Sequence, residues 1–191
     1  MIDSTVLDDI VRRLMAGNIV YHMDGNEGKC SDLENTEPED IARLDCSGLV
    51  QYVFYQCTTP HIRIPSGSDN QRGWFNDEGY PLQDYAQVAH RKDSMLRIAF
   101  RHSKYREGRR VKVGHVWFVL NGATIESTQK GRRNGPASFP WNERTNEAQS
   151  CFFIGLTFPP LFEMLSGCAV NQVVGVLADA NRALKREARR Q

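Results

Sequence analysis

Asn121-Gly122 lies between two β-rich runs, residues 111–120 and 123–128, and an Asn-Gly pair in that setting specifies a two-residue type I′ hairpin turn. No other short feature constrains the fold as much, because such a loop sets the register of both strands. Leu120 then faces Ala123, His115 faces Thr128 and Trp117 faces Glu126. Side chains alternate along a strand, so His115, Trp117 and Val119 share a face with Thr124, Glu126 and Thr128. His115 and Glu126 become diagonal neighbours, roughly 7–8 Å apart between backbones and within reach of two long side chains. A carboxylate against one imidazole nitrogen fixes the tautomer and makes the other nitrogen a better base. The same pattern also fits an ordinary His–Glu pair on a half-exposed sheet, so the rest of the chain must decide between them.

The second constraint is Asp45-Cys46-Ser47-Gly48-Leu49-Val50. Apolar residues at Leu49, Val50, Val53, Phe54 and Cys57 form the stripe of a helix with one buried face. Asp45 is a good N-cap residue. Cys46 would then sit on the first turn, where the helix dipole and backbone N–H groups without partners favour a thiolate and can hold an oxyanion. Gly48 is a poor helix former, which implies that something approaches the backbone closely there. A lone cysteine on such a helix is more simply read as a packed core residue; Cys57, three turns along the same face, is read that way.

The chain of 191 residues suits one domain with or without an appendage. Its net charge of +1 conceals two opposed stretches. Residues 24–45 hold eight acidic side chains against Lys29 and Arg43, a balance of −6, whereas residues 91–112 hold nine Lys/Arg against Asp93 and Glu107, a balance of +7. Two solvated surfaces of opposite sign follow. The basic stretch has few aromatics and no nucleic-acid-binding motif, so nucleic acid is an unfavoured partner, an anionic polymer or substrate carboxylates are a better one, and a plain solvated face is the simplest reading. The five cysteines are odd in number and contain no Cys-x-x-Cys pair, which argues against a disulfide framework or a zinc cluster. His22, His61, His90 and His102 lack metal-ligand spacing, so no metal and no cofactor is expected. No apolar run approaches the ~20 residues of a membrane-spanning helix, and the first residues lack the basic and apolar regions of a secretory signal.

In chain order, a first helix is expected from Asp3 or Ser4 to Gly17, carrying Val6, Leu7, Ile10, Val11, Leu14 and Met15 inward. A short strand or extended segment follows at 19–23, then a polar loop over 24–44. After the Cys46 helix, residues 58–81 read as a loop with a turn or two of helix. A second helix is expected over 82–105, with Met95, Ile98, Ala99 and His102 inward and Arg97, Arg101 and Lys104 outward. A basic loop at 130–136 leads through Trp141 to an apolar strand at 151–158. An amphipathic helix covers the tail. Helices followed by an antiparallel meander define an α+β class.

The segments Asp45-Cys46-Ser47-Gly48-Leu49-Val50, Gly114-His115-Val116 and Ile125-Glu126-Ser127 together resemble the NlpC/P60 family of papain-like cysteine peptidases, which cut amide bonds in bacterial cell-wall peptides. The resemblance implies Cys46 as nucleophile, His115 as general base and Glu126 as its orienter, a position more often His, Asn or Gln in the family. It further implies Tyr21, Ser47, Gln71 and Trp117 as substrate or oxyanion residues; Gln71 falls in a Ser-x-x-Gln segment, and Tyr21 matches the family tyrosine only if 24–44 is an insertion. The family's Pro-Gly-Asp turn is replaced by residues 109–113.

The implied organisation is a catalytic domain over 1–160, with helices on a central antiparallel sheet, and a helical extension over 161–191. The implied substrate is a peptidoglycan stem or cross-link peptide. Without a secretory signal, delivery to the wall would use a signal-independent route, and a neutralising immunity or inhibitor protein is then an expected partner. Two other readings use the same residues: an acyltransferase or deamidase on a non-wall substrate, and a degenerate domain that only binds.

Overall fold

The apolar stripes fold as helices that begin at acidic caps. In the computed structural model, which describes residues 2–23, 27–84, 95–131, 133–144 and 147–157, a short strand β1 (Ile2–Asp3) runs into α1 (Ser4–Ala16). Asp3 caps α1 by accepting from the N–H groups of Thr5 at 2.8 Å and Val6 at 3.1 Å, and Leu7, Ile10 and Leu14 turn inward. The segment at 19–23 is extended and touches residue 43 through a single parallel bridge at Val20. Within the acidic stretch, Leu33, Ile41 and Leu44 are buried, so much of this loop is packed down rather than free on the surface.

α2 (Cys46–Cys57) is the central helix. Its Leu49, Val50, Val53 and Phe54 are almost wholly buried, each such apolar side chain contributing about 1.5–3 kcal/mol. Gly48 has the close neighbour its position implied: a Cβ there would stand 2.1 Å from the carbonyl oxygen of Gly28. α3 (Ser68–Asp77) is longer than the turn or two expected.

The remaining strands are β2 (Leu82–Gln83), β3 (Arg97–Arg101), β4 (Lys104–Arg106), β5 (Arg109–Lys112), β6 (His115–Leu120), β7 (Ala123–Lys130), β8 (Arg133–Ala137), β9 (Ser150–Phe153) and β10 (Leu156–Thr157). Six of them form a sheet in the order β2-β9-β3-β6-β7-β8, with every neighbouring pair antiparallel. The hairpin register follows from its turn: Leu120 pairs with Ala123, Val119 with Thr124 and Phe118 with Ile125, and Asn121 and Gly122 take φ of 52° and 75°. Ile98, Phe100, Val116, Phe118 and Phe152 belong to the same core as α2, while Ala99, Trp117, Val119 and Cys151 pack with Trp141 and Ala148 in a second cluster. Their alternation along β3 and β6 places the two clusters on opposite faces of the sheet.

Two expectations are corrected. The described part of 82–105 holds β2, β3 and the start of β4 and no helix. Arg97 is buried at 1% exposure where an outward residue was expected, and Met95 is 47% exposed where an inward one was. β3 lies between β6 and β9, and its run Ile98-Ala99-Phe100 is apolar on both sheet faces, a pattern that a buried strand and a buried helix share. The basic loop at 130–136 is also a strand: β8 pairs with β7 from Arg133 to Ala137. As the last strand in the sheet order it tolerates Pro136, which has no N–H to donate.

The described residues belong to one compact unit, Met1–Thr157. The extension at 161–191, His90 and Cys168 lie outside the described residues. Among the described residues no helix is long and apolar enough to cross a membrane.

Candidate active site

Cys46 is the first residue of α2, and its position is held from several directions. Asp45 caps the helix by accepting from Gly48 N–H at 2.6 Å and from Ser47 Oγ at 3.0 Å. Its carboxylate also pairs with Lys29, and its own N–H donates to the carbonyl of Gly28 at 2.9 Å. Gln71, fully buried on α3, donates from Nε2 to the carbonyl of Ser47 at 2.9 Å. The first turn of α2 is therefore fixed by a cap, a loop and a second helix.

His115 begins β6 and is 5% exposed. Its Nε2 lies 2.7 Å from Glu126 Oε2, so that nitrogen carries the proton toward the carboxylate and Nδ1 is left over as the acceptor, with Cys46 near enough to raise the basicity of the ring. Burial by itself would lower the basicity of the imidazole. The hydrogen bonds to Cys46 and Glu126, together with their charges, outweigh burial and hold His115 up at about 9. The ring of Trp117 packs 5.4 Å from that of His115.

Glu126 is wholly buried and receives more than the histidine. Thr124 Oγ1 donates to Oε1 at 2.9 Å. Arg144 donates from Nε to Oε1 at 3.0 Å and from Nη2 to Oε2 at 2.7 Å. Desolvation pushes the Glu126 carboxyl upward, but His115 and Arg144 overcome this and keep it below its ordinary range. Arg144 in turn donates to Glu147 at 2.8 Å, and Glu147 accepts from Arg101, also at 2.8 Å. An alternating chain of charges thus runs from Arg101 through Glu147, Arg144 and Glu126 to His115, with each buried charge facing an opposite one.

A cleft of about 590 Å³ opens over this site, with Cys46, Ser47, Tyr21 and Gly114 among its lining residues. Burial, reinforced by the nearby Cys46 and Asp45, raises the Tyr21 phenol above its ordinary range, so it stays protonated and able to donate. The N–H groups of Cys46 and Ser47 belong to the helix turn that has no intrahelical acceptor for them.

The structure brings together Cys46, His115, Glu126, Ser47 and Tyr21. It places Gln71 and Trp117 differently from the substrate-contacting role expected: both are 0% exposed, so each can act only through a neighbour, Gln71 on the Ser47 carbonyl and Trp117 on the His115 ring. Arg144 was not found from sequence, because it sits in a short irregular stretch after the 3₁₀ turn Trp141–Glu143 and no local pattern links it to Glu126. Of the other histidines, His61 Nδ1 bonds the carbonyl of Tyr55 at 2.8 Å and His102 Nε2 lies 3.0 Å from Ser150 Oγ. Among the described residues no group of His, Cys, Asp and Glu is placed to hold a metal ion.

The arrangement combines a thiol, a base that can take its proton, a carboxylate that orients the base and backbone donors beside the sulfur, which are the parts of an acyl-transfer site. Comparison with protein-family models, with curated proteins and with solved structures finds no match for this chain.

Proposed function

We propose that this protein is a cysteine hydrolase of amide bonds, with Cys46 as nucleophile, His115 as acid–base and Glu126 as orienter. The observation that carries the reading is the 2.7 Å contact between His115 Nε2 and Glu126 on a ring whose basicity the neighbouring Cys46 also raises. A lone core cysteine has no use for a buried, charge-supported imidazole, and a surface His–Glu pair would not be walled in.

In the proposed cycle the Cys46 proton passes to His115. The sulfur attacks the amide carbonyl carbon, and the N–H groups of Cys46 and Ser47, with the Tyr21 hydroxyl, hold the oxyanion. The C–N bond breaks as the imidazolium gives its proton to the departing amine. Water, deprotonated by the neutral imidazole, then attacks the thioester, the C–S bond breaks, and the acid product leaves as the thiol is restored.

The similarity of the three motifs to NlpC/P60 peptidases supports bacterial cell-wall peptides as the substrate, a papain-like arrangement of the fold, and action at the wall under control of a neutralising partner. Sacculi and purified stem peptides incubated with the protein, with products resolved by mass spectrometry, test this. New amine and carboxyl termini are expected with the wild type and none with Cys46→Ala. Equal products from both proteins would overturn the assignment, and acyl exchange or ammonia release in place of cleavage would transfer it to the acyltransferase or deamidase reading.

A further inference from the structure

The cleft has one wall that the resemblance leaves without a role. β4 and β5 form a separate two-stranded ribbon outside the central sheet, joined through Glu107 and Gly108 at φ of 50° and 75°. All seven strand residues are exposed. Residues 104–112 hold Lys104, Arg106, Arg109, Arg110 and Lys112 against Glu107 alone. Tyr105 pairs directly with Arg110, and Arg106 with Arg109, so alternation places the two pairs on opposite faces of the ribbon. Tyr105 and Arg110 are both cleft-lining residues together with Cys46.

The other charged groups of that cleft have partners. Lys29 and Asp45 pair with each other, and Asp69 accepts from the N–H of Ser103 at 3.3 Å. Arg110 makes no ion pair or hydrogen bond among the described residues, and neither does the Tyr105 hydroxyl. The guanidinium of a cleft-lining, exposed Arg110 is a forked donor set matched to a carboxylate, and the Tyr105 ring beside it in the strand pairing, 63% exposed, is available to the aliphatic part of the same residue.

We propose that the Tyr105–Arg110 pair is a specificity element that receives a carboxylate of the peptide lying over Cys46, so that the cleft selects substrates carrying a free acid near the cleaved bond. The inference rests on the hydrolase reading and names its substrate class. The basic residues on the opposite face of the ribbon add attraction for anionic peptides at longer range, which salt weakens.

The test compares stem peptides released from sacculi with the same peptides after conversion of their carboxylates to primary amides. Wild-type kcat/KM is expected to fall about tenfold or more on amidation, the scale of a charge-assisted hydrogen bond near the surface. Arg110→Ala should cut both forms at nearly the rate the wild type shows for the amide, and Arg110→Glu should prefer the amide. Because the ribbon is exposed, the melting temperature should not change in either variant. Equal cleavage of both forms by the wild type, or a full preference kept in Arg110→Ala, overturns the inference while leaving the hydrolase reading intact. Binding of both peptides to the Cys46→Ala protein by calorimetry separates the two ideas. Selective binding of the acid form with no cleavage by the wild type upholds the ribbon's role and overturns the hydrolase, and equal binding with no cleavage overturns both.

Discussion

Arg144 grips Glu126 with two nitrogens, at 3.0 and 2.7 Å, in a site where the carboxylate has no exposed surface and the arginine only 4%. In the proposed mechanism the pair would divide the work of orienting His115. Arg144 supplies the charge that makes a buried carboxylate tolerable, and Glu126 is thereby free to direct one oxygen at His115.

Replacing Arg144 by Met should cost about 3–5 kcal/mol, because the buried Glu126 loses its two-nitrogen cation and keeps only His115 and Thr124 as partners. Chemical denaturation of Arg144→Met, of Glu126→Gln and of the double variant checks this. The double variant should lose less than the sum of the two single losses, and strict additivity would show that the pair is not energetically coupled.

Glu126→Gln should lower turnover by orders of magnitude, since the amide can present the wrong group to the ring and loses the charge that supports imidazolium. It should also move the alkaline limb of the pH profile. His115 is held up at about 9 by Cys46 and Glu126, so the wild type should lose activity as pH rises through that value. In the variant the loss should begin at lower pH. Stability follows the same sign: a histidine raised above its ordinary value stabilises the fold fully below about 6.5 and loses that contribution as pH climbs to about 9. Melting temperature measured between those limits should fall more for the wild type than for Glu126→Gln.

Gly48→Ala reverses the usual helix preference. Alanine gains about 1 kcal/mol in helix propensity, but its Cβ would meet the Gly28 carbonyl at 2.1 Å, and overpacking of this kind costs about 1–3 kcal/mol or more. The melting temperature should drop, and because Gly28 also accepts from Asp45 N–H, activity should fall with it. A stabilised, fully active variant would show that the loop yields without consequence.

Limited alkylation should sort the cysteines. Burial pushes Cys57 and Cys151 up to about 12, whereas Cys46 lines the cleft beside His115. Iodoacetamide near neutral pH, followed by peptide mapping, should label Cys46 in the native protein and reach Cys57 and Cys151 only after denaturation. Labelling at equal rates would remove the distinction.

Local chemistry made much of this structure readable. Asn121-Gly122 determines a register, and from the register come the shared face of His115 and Glu126 and their contact. Asp45 and the stripe from Leu49 to Cys57 likewise announce a helix start. What stayed hidden depends on distant partners. Ile98-Ala99-Phe100 reads as either element until β6 and β9 close on both sides of it. The strand at 133–137 looks like a loop because Gly135 and Pro136 oppose strand formation, and pairing with β7 overrides them. Arg144 has no local signature, since its meaning comes from a carboxylate on another element.

Because α2 and the β6–β7 hairpin come from separate parts of the chain, the sulfur and the ring that would arm it meet only when the hairpin docks beneath the helix. A nascent or partly opened chain carries the thiol without its base. Hydrolytic power would therefore appear and vanish with tertiary closure itself, so a ligand that wedges α2 away from β6 could silence the protein without touching a single reacting atom.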